Sequence, residues 1–279
     1  MDEDAGSMKR ILHGGAGAIV TKSIGMKPQE GYPNPTLVEL EHGMLNAMGL
    51  PNPGIEAFGE ELQSLKKVNA PIIGSIFGAD ISEFTALAKK MQDHGTHALE
   101  LNMSCPHAKG YGVEIGSDAA RVKTITAAVK NAVTIPIFVK LSPNLTDIVS
   151  IAKAAEQGGA DGIVAINTVK AMKIDIELQM PVLANKRGGY SGSAIKPIGI
   201  RCVYDIFEQV DIPIIGVGGI LTGKDALEYL MAGATAVQIG SGVYYHELTI
   251  FNNICQEMKQ WMNAHGYSNI HEVIGVAHQ

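Results

Sequence analysis

The sequence predicts an α/β protein whose parallel strands alternate with helices and close into a barrel. Short apolar, β-branched runs typical of buried strands lie at 17–23, 71–78, 97–104, 135–142, 161–168, 212–219 and 236–242. Helix-patterned segments, several opening on Ser, Thr or Asp and closing on Gly, lie between most of them at 82–95, 117–132, 145–159 and 223–234. Polar residues recur at the carboxyl ends of the strands, where TIM (β/α)8 barrels carry their active sites. A TIM barrel is therefore favoured over a doubly wound sheet.

The amino-terminal end of the chain departs from a complete barrel. Residues 4–20 predict a helix that feeds the first strand, so the pattern supplies seven strands rather than eight. We expect the missing element to be an amino-terminal strand, and hence a truncated or misassigned start. An open barrel would expose strand edges that natural folds cover or pair. Length and composition predict one domain over 1–279.

Charge and cysteine content exclude several classes of function. A net charge of −6 without any Lys/Arg run argues against a nucleic-acid or anionic-membrane surface. Three widely spaced cysteines without a CxxC motif predict neither disulfides nor a metal site, and favour a reducing, cytoplasmic setting. No apolar run approaches the roughly 20 residues of a spanning helix. The expected partners are small molecules or proteins.

Cys105 is the first candidate for chemistry. It follows the strand end in 99-LELNMSCPHAKGYG-112, in a loop rich in glycine and polar residues, where function concentrates. A thiol can act as a base or nucleophile near neutral pH if its surroundings favour the thiolate. The residues alone support an inert thiol equally well, whereas Cys202 and Cys255 are expected to be inert members of apolar helices.

Lysines and amides at other strand ends predict a polar ligand site. Lys140 ends an apolar strand, so it must face the mouth, meet an anion, snorkel to solvent or serve as a Schiff-base lysine. Lys22 carries the same argument. Asn46, Asn102 and Asn167 could converge on a planar, amide-bearing ligand, and we interpret 43–54 as a long binding loop.

Residue pairs that contain glycine follow the last two predicted strands and indicate a phosphate-bearing ligand, since barrels bind phosphate through loop backbone N–H groups there. These pairs are Gly218-Gly219 and Gly240-Ser241.

The motifs together resemble class 1 dihydroorotate dehydrogenases, in order from about residue 3 to residue 250. Within that family the chain is most similar to the NAD-linked subclass. The motifs that carry the resemblance are TKS (21–23), GMLNAMGLPNPG (43–54), LNMSCP (101–106), VKLSPN (139–144), AINT (165–168), GYSGSAIKP (189–197), GVGGI (216–220) and IGSG (239–242).

The resemblance implies a TIM barrel that binds FMN and oxidises dihydroorotate to orotate in pyrimidine synthesis, with Cys105 as the general base. The positions matching substrate contacts are Lys22, Asn46, Ala47, Met48, Gly49, Leu50, Asn102, Asn167 and Thr168. The positions matching flavin contacts are Lys22, Ser23, Ser75, Asn102, Lys140, Ile166, Gly192, Gly218, Gly219, Gly240 and Ser241.

The subclass also implies a partner, namely an electron-transfer subunit carrying FAD and a 2Fe-2S cluster in a heterotetramer that reduces NAD; the other subclass passes electrons directly to fumarate. One motif also supports an alternative substrate. Ser104-Cys105-Pro106-His107 stands where many relatives read SCPN, and it also resembles the FMN domain of dihydropyrimidine dehydrogenases, which act on uracil-type rings. Two further hypotheses are a Schiff-base aldolase using Lys140 and an inactive structural fragment.

Overall fold

The computed structural model describes residues 4–66, 68–104 and 113–279. The helices are α1 Ala5–His13, α2 Ile55–Leu65, α3 Ile81–Asp93, α4 Val113–Gly116, α5 Ala119–Lys130, α6 Ile148–Gln157, α7 Lys196–Phe207, α8 Gly223–Met231, α9 Gly242–His246 and α10 Ile250–Ala264. The strands are β1 Ile19–Val20, β2 Leu37–Leu40, β3 Gly43–Asn46, β4 Ile72–Ile76, β5 Ala98–Asn102, β6 Ile137–Leu141, β7 Gly162–Ala165, β8 Val169–Ala171, β9 Ile174–Asp175, β10 Met180–Pro181, β11 Gly188–Ser191, β12 Ile214–Val217 and β13 Ala236–Gln238.

The main sheet is parallel, and its strand order is β1-β4-β5-β6-β7-β12-β13. Each strand lies inside one of the predicted runs, and helices occupy the connections, as right-handed βαβ crossovers require. The sheet curls: Gln238 of β13 contacts Glu100 of β5 across its concave side. The predicted α/β barrel class is therefore confirmed.

The barrel is open on one side within the described part of the chain. Strands β1 and β13 are the two edges of the main sheet and are not hydrogen-bonded to each other. Helix α1 precedes β1 as expected, and its amino end is capped by the Asp4 carboxylate, which accepts from the Ser7 N–H at 2.8 Å.

The interpretation of 43–54 as a loop is wrong for its first third. Residues Gly43–Asn46 form β3, which belongs to an antiparallel sheet of order β2-β3-β11-β8. Gly43 adopts a φ of 157° at the start of β3, and a Cβ there would lie 2.0 Å from the Ser191 carbonyl oxygen. Strand β3 has only four residues, and the first three are all buried, so its sequence shows no apolar–polar alternation that would predict a strand.

A continuous apolar core lies between the main sheet and the helices and extends from Ala5 to Val273. The small sheet has a core of its own, in which Leu45, Ala47 and Leu183 pack together. Among the described residues, no helix is both long and apolar enough to cross a membrane.

Candidate active site

A cavity of about 770 Å³ opens at the carboxyl ends of the barrel strands and continues down the open side of the barrel between β1 and β13. Its volume falls within the range of small-molecule and cofactor sites. The lower wall is largely apolar and includes Ile19, Ile73, Ile215 and Val237, while the upper wall is polar.

Many of the predicted site residues line this one cavity, although they come from separate strands and loops. They are Lys22, Ser23, Asn46, Met48, Gly49, Leu50, Asn102, Lys140, Asn167, Thr168 and Gly240. The small sheet contributes to this arrangement, because the Asn46 amide at the end of β3 donates to the Gly189 carbonyl of β11 at 3.3 Å.

Other predicted residues lie behind the cavity wall. Ala47 and Ile166 are buried and use their backbone N–H groups to bind the carbonyls of Thr36 and Val217. Gly192 and Gly219 pack against each other: a Cβ on Gly219 would lie 2.6 Å from the Gly192 carbonyl oxygen. Ser75, Gly218 and Ser241 also do not line the cavity.

The glycines after β12 have left-handed backbone conformations, with φ of 133° at Gly218 and 69° at Gly219. Tyr229 of α8 supports this turn, since its buried hydroxyl donates to the Gly218 carbonyl at 2.8 Å. Burial raises the pKa of Tyr229, so the hydroxyl keeps its proton and remains a donor. Gly240 differs from these glycines, because the space that a Cβ would occupy is open.

A hydrogen-bonded series of polar side chains runs through the upper wall. The Asn102 amide nitrogen donates to the Ser23 hydroxyl at 2.8 Å, and the Asn102 amide oxygen accepts from the Ser104 hydroxyl at 2.8 Å. The Asn167 amide in turn donates to Ser104, also at 2.8 Å. Two strand ends, β5 and β7, are thus linked through one buried serine.

Lys140 meets an anion, as one of its predicted environments required. Its ammonium lies 3.7 Å from the carboxylate of Glu100, whose side chain is 2% exposed. The two residues belong to neighbouring strands, and Asn102 is the direct register partner of Lys140. An ion pair of this kind is incompatible with a lysine that only snorkels to solvent.

Sequence reasoning overlooked Glu100 and Gln238, which both line the cavity. The available signal was a carboxylate in the middle of the apolar run 97–104, because a buried charge requires a partner. For Gln238 there was no comparable signal, since a single amide in a strand is unremarkable.

Cys105 and His107 lie outside the described residues, and their roles remain predictions from the sequence. The residue preceding Cys105 is described: Ser104 is fully buried at the base of the polar wall. Among the described residues, no group of three or more His, Cys, Asp or Glu side chains is placed to hold a metal ion.

The fold and site define a class: an α/β barrel enzyme whose ligand cavity, at the carboxyl ends of the strands, is lined by amides and lysines. The family model for dihydroorotate dehydrogenase matches residues 1–262. The chain belongs to the dihydroorotate dehydrogenase family.

Three relatives have the same name, dihydroorotate dehydrogenase B (NAD(+)), catalytic subunit. The protein of Methanocaldococcus jannaschii is 52% identical over all of this chain and 92% of its own length. That of Thermoplasma acidophilum is 50% identical over 99% of this chain and 92% of its own. That of Pyrococcus abyssi is 51% identical over 97% of this chain and 90% of its own.

Proposed function

We propose that this protein is the catalytic subunit of an NAD-linked dihydroorotate dehydrogenase and oxidises dihydroorotate to orotate for pyrimidine synthesis. The observation that carries the proposal is the polar wall, in which Asn102, Asn167 and Lys140 come from three different strands to one cavity. The name shared by the relatives supplies the substrate class. The aldolase hypothesis has less support, because it leaves both amides without a task and Lys140 is paired with Glu100.

FMN is the flavin that we propose for the cavity. The residues fit such a group: the volume of about 770 Å³ is adequate, the lower wall is apolar, and the open space at Gly240 lets a ligand approach the backbone. When bound, FMN supplies the acceptor for the hydride that leaves the substrate ring. Lys140, Lys22 and Ser23 would hold the polar edge of the flavin, and the backbone N–H groups around Gly218-Gly219 and Gly240-Ser241 would hold its phosphate.

The amides orient the substrate. Each amide nitrogen has two hydrogens, and one of them is engaged by Ser23 for Asn102 and by Ser104 for Asn167. We propose that the second hydrogen of each amide donates to a carbonyl oxygen of dihydroorotate, whereas Lys22 faces its carboxylate. A ring without these acceptors would leave buried donors unpaired, which is the basis of selection.

Cys105 is the general base in this proposal. It removes the proton from the ring carbon next to the one that loses hydride, so the ring loses one proton and one hydride, which is two hydrogens and two electrons in all. Cysteine suits this role better than serine because its ordinary pKa is much nearer to neutral pH.

The electrons then leave through a partner. The name that the relatives share, catalytic subunit, implies a second subunit, and we propose that this subunit carries FAD and a 2Fe-2S cluster in a heterotetramer. NAD reduction measured with and without that subunit tests this step, and reduction of NAD by the isolated chain at the full rate would contradict it.

The test of the substrate is spectroscopic. The protein reconstituted with FMN should show a flavin band that bleaches anaerobically with dihydroorotate and not with dihydrouracil. Absence of a flavin band after reconstitution would contradict the flavoprotein assignment. Bleaching by dihydrouracil alone would instead support a dihydropyrimidine dehydrogenase, the function that His107 suggested.

The test of the base uses a matched pair of cysteine variants. Cys105→Ala should lower the bleaching rate by about 10³-fold or more while FMN stays bound, since general-base catalysis contributes roughly 10²–10⁴-fold. Cys255→Ser, at an exposed position, should keep the wild-type rate. A Cys105→Ala protein with the wild-type rate would remove Cys105 from the mechanism.

A further inference from the structure

Glu100 is the one carboxylate in the cavity wall among the described residues, and it is buried. We propose that Glu100 is a positioning residue that anchors the hydrogen bonds of the polar wall and, by compensating Lys140, lowers the reduction potential of the bound flavin. The inference rests on the proposed function, because the reduction potential that the charge of Glu100 changes is that of bound FMN.

Three contacts hold the carboxylate. Its Oε1 accepts from the Ser75 hydroxyl at 3.0 Å and lies 3.7 Å from the Lys140 ammonium, while Oε2 is 3.5 Å from the amide nitrogen of Gln238. Ser75 is the register partner of Glu100 on β4. Three strands of the barrel therefore converge on one charge, and a buried carboxylate with fewer partners would be strongly destabilised.

The direction of the hydrogen bonds follows from this charge. A carboxylate only accepts, and a serine hydroxyl has one hydrogen. Ser75 donates its one hydroxyl hydrogen to Glu100. Ser23 must therefore be the donor in the 2.9 Å contact between the Ser23 and Ser75 hydroxyls. Ser23 can then only accept from Asn102, as observed.

The same direction continues beyond Asn102. The Asn102 amide oxygen faces the Ser104 hydroxyl and its backbone N–H, at 2.8 and 3.2 Å, and Ser104 accepts from Asn167. Every donor in the series therefore points toward Glu100. One carboxylate at the end of the series keeps the N–H groups of both amides aligned for the substrate.

The negative charge of Glu100 also affects the reduction potential of the flavin. Lys140 alone would favour the reduced flavin, which carries more negative charge than the oxidised form. Glu100 offsets that cation from a distance at which charges interact strongly in a poorly solvated wall. The pair therefore keeps reduced FMN reactive enough to pass its electrons to the partner subunit.

The direct test is the two-electron midpoint potential of bound FMN. Glu100→Gln keeps the shape and removes the charge, so we expect a potential at least about 30 mV higher, a tenfold change in the equilibrium constant. Glu60→Gln removes the same charge from an exposed position on α2 and should leave the potential unchanged. Ser75→Ala keeps the charge, so it should weaken dihydroorotate binding without a comparable rise in potential.

An unchanged or lower potential in Glu100→Gln would overturn the inference, provided that the wild type binds FMN and is bleached by dihydroorotate. If the wild type does not bind FMN or is not bleached by dihydroorotate, the result contradicts the proposed function and not the role of Glu100, so the two outcomes are distinguishable.

A measurement without flavin keeps the inference testable if Glu100→Gln does not retain FMN. In the apoprotein, the melting temperatures of wild type, Glu100→Gln, Lys140→Met and the double variant form a cycle. We expect the double variant to be more stable than the sum of the single losses predicts, since it leaves no unpaired buried charge. Additive losses would overturn the inference.

Discussion

At the scale of single residues, the site depends on buried polar groups that satisfy one another. Ser104 is fully buried, accepts from Asn167 and donates to Asn102. A hydroxyl that both donates and accepts can join two amides in a fixed relative orientation, which neither amide could hold alone. Positioning of this kind matters because ligand selection depends on buried donors finding acceptors.

Ser104→Ala should therefore weaken substrate binding more than flavin binding. Loss of the bridge removes one hydrogen bond from each amide, and we expect the KM for dihydroorotate to rise about tenfold, or about 1.4 kcal/mol. Steady-state kinetics with an FMN titration would measure this change. Ser64→Ala, on the exposed side of α2, is the control, and an unchanged KM in Ser104→Ala would show that the bridge is dispensable.

At the scale of elements, helix α8 supports the glycine turn after β12. Its amino end has a reciprocal capping box, in which Thr222 and Asp225 bind each other's backbone N–H groups. The second oxygen of Asp225 accepts from the Lys196 ammonium at 2.7 Å. This bond joins the amino end of α7, where Lys196 lies, to the amino end of α8.

The charges of this junction depend on pH. Burial raises the pKa of Asp225, but hydrogen bonds from Lys196, Leu221 and Thr222 outweigh it, so the net pKa lies below the usual 3.8. Burial also lowers the pKa of Lys196, but its bonds to Asp225 and Glu228 leave the net value above 10.5. The stabilisation from Asp225 is present above pH 3.8 and lost as pH falls through its folded-state pKa; that from Lys196 is lost only as pH rises through its own.

Asp225→Asn should consequently lower the free energy of unfolding by about 1–2 kcal/mol at neutral pH, because the amide oxygen can still accept from the backbone N–H groups but the charged hydrogen bond to Lys196 is lost. The difference from wild type should shrink as the pH falls below 3.8. Urea unfolding across this range measures it. Asp211→Asn, at an exposed position, provides the comparison, and a difference that persists in acid would contradict the charge-based explanation.

At the scale of the whole molecule, the open side of the barrel is the most consequential feature. Residues 18–20 on one side and 236–239 on the other line the same cavity that contains the site. Unpaired strand edges expose backbone groups, and natural folds usually cover them. We propose that residues 1–279 form one domain in which an additional strand between these edges would complete the barrel.

Adding an apolar, strand-forming segment ahead of α1 should therefore raise the melting temperature by about 5 °C or more and strengthen FMN binding, because the segment pairs with two edges and encloses the cavity. Thermal melts with and without FMN would show both effects. An extension of equal length made of Gly and Ser is the matched control. Equal gains from the two extensions would contradict strand insertion.

Much of this protein was determined by its sequence alone: the α/β barrel, its seven parallel strands and the polar residues at their ends follow from local periodicity, since strands buried on both faces are continuous apolar runs. Tertiary structure decided the rest. The antiparallel sheet containing Gly43–Asn46 depends on pairing with distant strands, and Glu100 became part of the site only when the curled sheet brought Ser75, Lys140 and Gln238 to it. A buried charge in one strand indicates that it must have a partner, but only the packing of different strands determines which residue that partner is.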